Sequence, residues 1–116
     1  SLKLKYPTNT TNFHLFYMTT IQLHREHPLG FEKARLIAKK WGEKSTEKFD
    51  MTCSYQEGDE SDCLEFTRSG VKGSLKVTAN TFELDATLGF LFGAFKDKIL
   101  AEMNQKLDEL ITQESQ

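Results

Sequence analysis

The chain has 116 residues, of which 38% are hydrophobic and 28% charged, and its formal net charge is −2 at pH 7. A chain of this length forms one domain with a modest core, for which its nine phenylalanines supply bulky side chains. The small acidic charge excludes the strongly basic surface of a typical nucleic-acid-binding protein. No apolar run approaches the roughly 20 residues that a membrane-spanning helix requires.

The first 17 residues differ in pattern from the segments that follow. A polar Thr/Asn run leads into Phe13–Tyr17, an apolar stretch too short for a secretory signal peptide. We predict that the natural protein begins at Met18 and that residues 1–17 are a flexible or non-native extension. Residues 18–112 would then form a single domain with a frayed tail at 113–116. With no secretory signal in the sequence, we expect a cytoplasmic protein.

A strand and a helix are predicted in the first half of the domain. Residues 20–25 alternate polar and apolar side chains, as in a half-buried strand, and Pro28 interrupts that pattern. Apolar residues then recur at steps of three and four, which predicts a helix over residues 31–48. Its apolar face comprises Phe31, Ala34, Ala38, Trp41, Ser45 and Phe49. Within this helix, Gly42 would allow a close approach to a sheet.

Four more strands and a final helix follow. The strands are predicted at residues 51–55, 63–67, 71–78 and 82–88, each with one apolar face, and glycine- or asparagine-containing turns separate them. The final helix is predicted to begin near Phe92. Its apolar stripe comprises Phe92, Phe95, Ile99, Met103, Leu107 and Leu110.

The order of elements is therefore β-α-β-β-β-β-α. Because each strand has one apolar face and each helix one apolar stripe, the most economical packing places both helices on one face of an antiparallel sheet. We predict a two-layer α+β domain whose other sheet face is polar and available to solvent or to a partner. The sequence leaves open which edge the first strand joins, and an unpaired edge would allow a homodimer.

Few residues suggest chemistry. His24 and His27 flank Arg25 and Glu26, but the only other histidine is His14, and a metal site requires three or four converging ligands. A surface or strand-end role is therefore predicted for His24 and His27. We predict no catalytic, cofactor-binding or metal-binding residues, and no enzymatic activity.

The glycines and the acidic run also favour structural roles. Four glycines in the second half of the chain could suggest a phosphate-binding loop; they are Gly70, Gly73, Gly89 and Gly93. Their spacing matches no nucleotide-binding fingerprint, so turn, bulge and packing roles are predicted. The acidic run Asp59, Glu60 and Asp62 lacks the spacing of an EF-hand. We interpret it as a solvated loop rather than a weak cation site.

The two cysteines, Cys53 and Cys63, fall on two successive predicted strands that a hairpin would pair. Their spacing matches neither a zinc ribbon nor a redox pair. A hairpin would permit a disulfide between them, but reduced thiols are favoured in a cytosolic protein. No histidine follows either of them closely in sequence, so a nucleophilic role is not predicted.

One apolar cluster lies where the last strand meets the last helix. It contains Phe90, Leu91, Phe92 and Phe95, and these large side chains cannot all face one helical stripe. Either the cluster packs at the junction, or part of it forms an exposed patch that contacts a partner, a lipid-like ligand or a hydrophobic surface. These four residues are the candidate contact residues.

Several segments agree in order and spacing with a known family over residues 20–111. They are His27–Gly30 with Glu32 and Ala34, Phe66–Gly73, Leu88–Leu91, Phe95–Ile99 and Lys106–Leu110. Together they resemble the small polyhydroxyalkanoic acid system, or granule-region, family, whose members are encoded beside genes for polyhydroxyalkanoate synthesis and use. The resemblance implies a bacterial cytoplasmic accessory protein whose partners are the granule surface or granule proteins. It supplies no catalytic residues.

The order of elements also resembles a reduced helix-grip fold, the type found in START-like ligand-binding domains. There a C-terminal helix closes over a curved antiparallel sheet. This resemblance implies an alternative function, a small binding module for an acyl or hydroxyacyl ligand between the sheet and the C-terminal helix. A cavity lined by Phe66, Leu75, Leu84 and Met103 would favour that alternative.

Overall fold

The computed structural model describes residues 18–115, and the predictions for residues 1–17 lie outside that range. Within it the chain forms five strands and three helices. The strands are β1 (Thr19–Glu26), β2 (Thr52–Gln56), β3 (Asp62–Arg68), β4 (Val71–Val77) and β5 (Thr81–Leu88). The helices are α1 (Phe31–Phe49), α2 (Phe90–Gly93) and α3 (Lys96–Glu114). None of these helices is long and apolar enough to cross a membrane.

The five strands form one antiparallel sheet in the order β1-β5-β4-β3-β2. The sequence left the position of β1 open, and the structure places it at the edge beside β5, with Thr19 opposite Leu88 and Glu26 opposite Thr81. The sheet edges are therefore β1 and β2. Homodimer formation through such an edge stays a prediction.

Both long helices pack on the same face of the sheet, which confirms the predicted two-layer α+β architecture. Helix α1 contacts β2, β3 and β4, whereas α3 contacts β1 and α1. The inward side chains of the strands form the core beneath them; the most deeply buried are Ile21, Leu64, Phe66, Leu75, Val77, Phe82, Leu84 and Leu88. The opposite sheet face carries polar residues, such as Gln22 and Asp85, whose side chains are hydrogen-bonded at 2.9 Å. The helix-grip resemblance stays a prediction.

Two glycines allow close packing inside this core. A Cβ at Gly42 would lie 3.3 Å from the Leu64 side chain, so α1 approaches β3 closely, as predicted. A Cβ at Gly73 would lie 2.5 Å from the backbone oxygen of Asp85 and 2.7 Å from the Phe66 ring. The space above Gly73 is therefore filled by Phe66, which lies opposite it on β3.

The sequence predicted that the C-terminal helix begins near Phe92, but this helix begins at Lys96. The short helix α2 ends at Gly93, and α3 starts after Phe95, whose carbonyl oxygen accepts a hydrogen bond from the Ile99 amide at 2.9 Å. The Phe92 ring packs against Gly70, which has a φ of +85° in the β3–β4 turn. This contact holds α2 at the sheet end, so the chain turns before α3 crosses the sheet.

Candidate functional site

A cleft of about 600 Å³ lies between the C-terminal half of α1 and the N-terminal half of α3, above one end of the sheet. At the other end, polar contacts join the two helices. Lys40 Nζ of α1 donates to Glu114 Oε2 of α3 at 2.9 Å, and Lys33 Nζ donates to the Glu114 backbone oxygen at 3.0 Å. The volume falls within the range of about 300–1,000 Å³ that is typical of small-molecule sites.

The inner surface of the cleft is apolar. Its floor is lined by buried residues, Trp41, Met51, Val71 and Leu88, and its α3 side by the half-buried Ile99 and Met103. Trp41 is buried, and its ring meets that of Phe66 edge-on with centroids 5.4 Å apart. Since Phe66 belongs to the central core, the cleft wall is continuous with that core.

Cationic side chains outnumber carboxylates around this cleft. The cations are Lys44, Lys48, Arg68, Lys98 and Lys106, and the carboxylates are Glu102 and Glu109. Lys106 is paired with Glu109 at 2.9 Å. Arg68 donates from Nη1 to the Phe49 carbonyl oxygen at 2.8 Å, and its guanidinium carbon lies 5.2 Å from the centre of the Phe92 ring. Both contacts position Arg68 without neutralising its charge.

The four candidate contact residues separate into two environments. Leu91 is 76% exposed, Phe95 57% and Phe90 66%, and we refer to these three exposed residues as the patch. Phe92 is half-buried against Gly70, and with Phe95 it lines the cleft. The patch and the cleft mouth therefore meet at Phe95.

A cavity lined by Phe66, Leu75, Leu84 and Met103 would have favoured the ligand-binding alternative. In the described part of the chain the first three of these side chains are buried in the core, and only Met103 lines the cleft. Small residues on the buried face of α1, including Ala34 and Ala38, let that helix close directly onto the sheet. The open space lies instead where α1 and α3 diverge.

The acidic run was interpreted as a solvated loop, and this is wrong for Asp62. Its side chain is completely buried at the start of β3 and accepts hydrogen bonds from Arg35, from the Tyr55 hydroxyl at 2.5 Å and from the Gly58 amide at 2.9 Å. Burial alone would raise the pKa of Asp62, but these hydrogen bonds outweigh it and lower the pKa to about 2. Asp59 and Glu60 are exposed.

The two described histidines differ in environment. His24 is exposed on β1, whereas His27 is 5% exposed just beyond the end of that strand. The Nδ1 atom of His27 accepts the Leu29 amide at 3.2 Å, and Nε2 lies 3.3 Å from the Thr78 carbonyl oxygen. Burial lowers the pKa of His27. Among residues 18–115 no cluster of three or more His, Cys, Asp or Glu side chains could hold a metal; His14 lies outside this range.

Both cysteines are free thiols on opposite faces of the sheet. Cys53 lies opposite the inward-facing Phe66, and Cys63 lies between the outward-facing Gln56 and Lys76. A disulfide between them is excluded by this geometry, because their Cβ atoms point apart. Burial is the main cause that raises the pKa of Cys63, so its reactive thiolate form is disfavoured.

The fold and the cleft define a small two-layer α+β protein with an apolar, cation-rimmed cleft. Residues 21–111 match the family described as "Putative polyhydroxyalkanoic acid system protein", and the chain belongs to this family. Membership suggests a role in polyhydroxyalkanoate-related biology. A comparison with curated proteins finds no match.

Proposed function

We propose that this is a non-enzymatic accessory protein of bacterial polyhydroxyalkanoate storage. In this proposal it is cytoplasmic and associates with the granules, or with proteins on them, through the patch at the start of α3. The observation that carries the proposal is the exposure of Leu91 and Phe95 at one end of the molecule. Exposed apolar clusters of this kind commonly mark contacts with a partner or with a hydrophobic surface.

The described polar residues support a non-enzymatic role. His27 uses both ring nitrogens in contacts with the backbone, so it is poorly placed to act as a general base. The raised pKa of Cys63 disfavours a nucleophilic thiolate. The Asp62 carboxylate accepts hydrogen bonds from Arg35 and Tyr55 and is buried, so it is poorly placed to contact a substrate.

The test is co-sedimentation of the purified protein with isolated polyhydroxyalkanoate granules. The variant Leu91→Asp/Phe95→Asp places two charges on the patch and leaves Phe92 against Gly70, so the fold is expected to survive. The matched control is Leu36→Asp, because Leu36 is also an exposed apolar residue, at 43%, but lies on α1. Circular dichroism checks that each variant is folded.

We expect the wild type and Leu36→Asp to sediment with granules and the patch variant to remain in solution. Native and protein-stripped granules are compared, because binding to native granules alone would identify a granule protein as the partner. Equal sedimentation of the folded patch variant would contradict the proposal, as would failure of the wild type to bind either preparation.

A second candidate function is favoured by the cleft itself. A binding module for an acyl or hydroxyacyl ligand requires an apolar site of suitable size, and the cleft between α1 and α3 provides about 600 Å³ lined by Trp41 and Met103. Its test is a thermal shift with octanoate and hydroxyoctanoate. A rise in the unfolding temperature that saturates with ligand would support this function, and no rise with either compound would contradict it.

A further inference from the structure

We infer that the cleft binds a single-chain carboxylic acid, with the alkyl chain against Ile99 and Met103, above the buried Trp41, and the carboxylate at Arg68 and Lys98. This inference rests on the second candidate function and deepens it, because it specifies the charge of the ligand and the residues that select it. It is independent of granule binding through Leu91.

The argument begins with the distribution of polarity in the cleft. The accessible apolar surface comes from Phe49 at the end of α1 and from Ile99 and Met103 on α3. Trp41 and Leu88 are buried beneath it. An alkyl chain placed there would be removed from water along its length. A neutral apolar ligand would need nothing more, so the cations at the same site require a separate explanation.

The cations at the cleft are only partly neutralised by protein carboxylates. Lys106 is paired with Glu109, and Glu102 is the other carboxylate at the site. Lys44 and Lys98, on opposite helices, form no ion pair within residues 18–115. The cleft therefore carries an excess of positive charge that complements an anionic ligand.

Arg68 is the cation that is best positioned for this role. Its guanidinium is held by the Phe49 carbonyl oxygen and by the Phe92 ring, neither of which carries a negative charge. A planar guanidinium can donate two parallel hydrogen bonds to one carboxylate, so a pre-positioned arginine selects a carboxylate end group over a hydroxyl.

The chain provides its own reporter for the test. Trp41 is the only tryptophan in the sequence and lines the cleft, so a change in its fluorescence reports on binding at this site. The probes are hexanoate, octanoate and decanoate for chain length, and octanol as the neutral counterpart of octanoate. We expect the affinity to rise about fourfold with each added methylene and octanol to bind at least tenfold more weakly than octanoate.

Two variants test the positions of the charges. Arg68→Gln and the double variant Lys44→Gln/Lys98→Gln should each weaken octanoate binding about tenfold. The double variant alters exposed side chains, so it keeps the test valid if Arg68→Gln fails to fold. The matched control is Lys76→Gln, because Lys76 is exposed on the opposite sheet face, across from Glu83, and its loss should leave octanoate binding unchanged.

Equal affinities for octanol and octanoate would overturn the carboxylate assignment while leaving an acyl-binding cleft. Unchanged binding by both cleft variants would overturn the assigned residues. If no chain length altered Trp41 fluorescence or the unfolding temperature, the inference and the second candidate function would fall together. That result would leave the proposed granule association standing, because sedimentation tests it separately.

Discussion

Arg35 and Asp62 form a two-point ion pair between helix α1 and the start of strand β3, with Nε 2.7 Å from Oδ2 and Nη2 2.9 Å from Oδ1. Arg35 also donates to the Gly58 carbonyl oxygen at 3.0 Å. The pair thus fixes the loop between β2 and β3 to the helix layer. A buried carboxylate with all its oxygens engaged is costly to disturb, because each partner left behind loses its hydrogen bond.

The first prediction concerns the buried carboxylate. Asp62→Ala should destabilise the protein by about 3 kcal/mol, since it leaves Arg35, the Tyr55 hydroxyl and the Gly58 amide without their acceptor. Urea denaturation followed by circular dichroism measures the change. Asp59→Ala is the matched control, because Asp59 is exposed in the same loop and its removal should change stability by less than about 0.5 kcal/mol. Similar effects of the two substitutions would refute the assigned role of Asp62.

The second prediction concerns packing at Gly73. Gly73→Ala should cost about 2 kcal/mol, because the added methyl group would meet the Asp85 backbone oxygen, the Phe66 ring and the Ala86 side chain at 2.8 Å or less. Ser74→Ala, one residue along β4 and on the other face, is the control and should have little effect. Denaturation curves of the two variants provide the comparison. An unchanged denaturation midpoint for Gly73→Ala would contradict the prediction, because it would show that the core relaxes to accommodate the added methyl group.

The third prediction concerns pH. The pKa of His27 in the folded protein lies below its ordinary value of 6.5, chiefly because of burial. As the pH falls below 6.5 the unfolded chain takes up a proton more readily than the folded one, so stability is full above pH 6.5 and declines toward the lower folded pKa. Protonation would also convert the Nδ1 acceptor of the Leu29 amide into a donor.

We therefore expect the free energy of unfolding to decrease between pH 7.5 and 5.5 in the wild type, and to vary less in His27→Gln. His24→Gln serves as the control, since it removes an exposed histidine of β1 and leaves the contacts of His27 in place. A profile of His27→Gln parallel to that of the wild type would assign the pH dependence to other groups.

The fourth prediction concerns the thiols. Cys53 and Cys63 lie on opposite sheet faces, so mild oxidation of the folded protein should not join them within one chain. Peptide mapping without reductant should find both thiols free. Alkylation of Cys63 near neutral pH should be slower than that of an unhindered cysteine peptide, because burial raises its pKa. A Cys53–Cys63 cross-link formed under native conditions would contradict the register of β2 and β3.

The local patterns of the sequence predicted the elements well, because the strand faces and helix stripes depend on neighbouring residues. Phe82 and Leu84 point inward as their alternation indicates, and Gly42 allows the close helix approach that was expected. The position of β1 could not be predicted in this way, since its pairing depends on residues far away in the chain. The interruption before Lys96 depends likewise on the contact of Phe92 with the distant Gly70.

The candidate site was predicted only in part. The sequence identified the apolar cluster between Phe90 and Phe95 as a candidate contact site, but helical periodicity could not determine which of its members are exposed. The position of Lys44 at a cleft could not be predicted from the periodicity of α1, because it depends on how α3 packs beside that helix.

The pairing of β1 with β5 has a consequence for the synthesis of the protein. Translation produces Ile21 and Leu23 early, but the strand that receives β1 ends at Leu88, so the sheet cannot close until that residue has left the ribosome. The hairpins from β2 to β5 can form in sequence as they emerge, each against its predecessor. Of the five described strands, β1 is thus made first and paired last, and the nascent chain carries it unpaired until β5 has emerged.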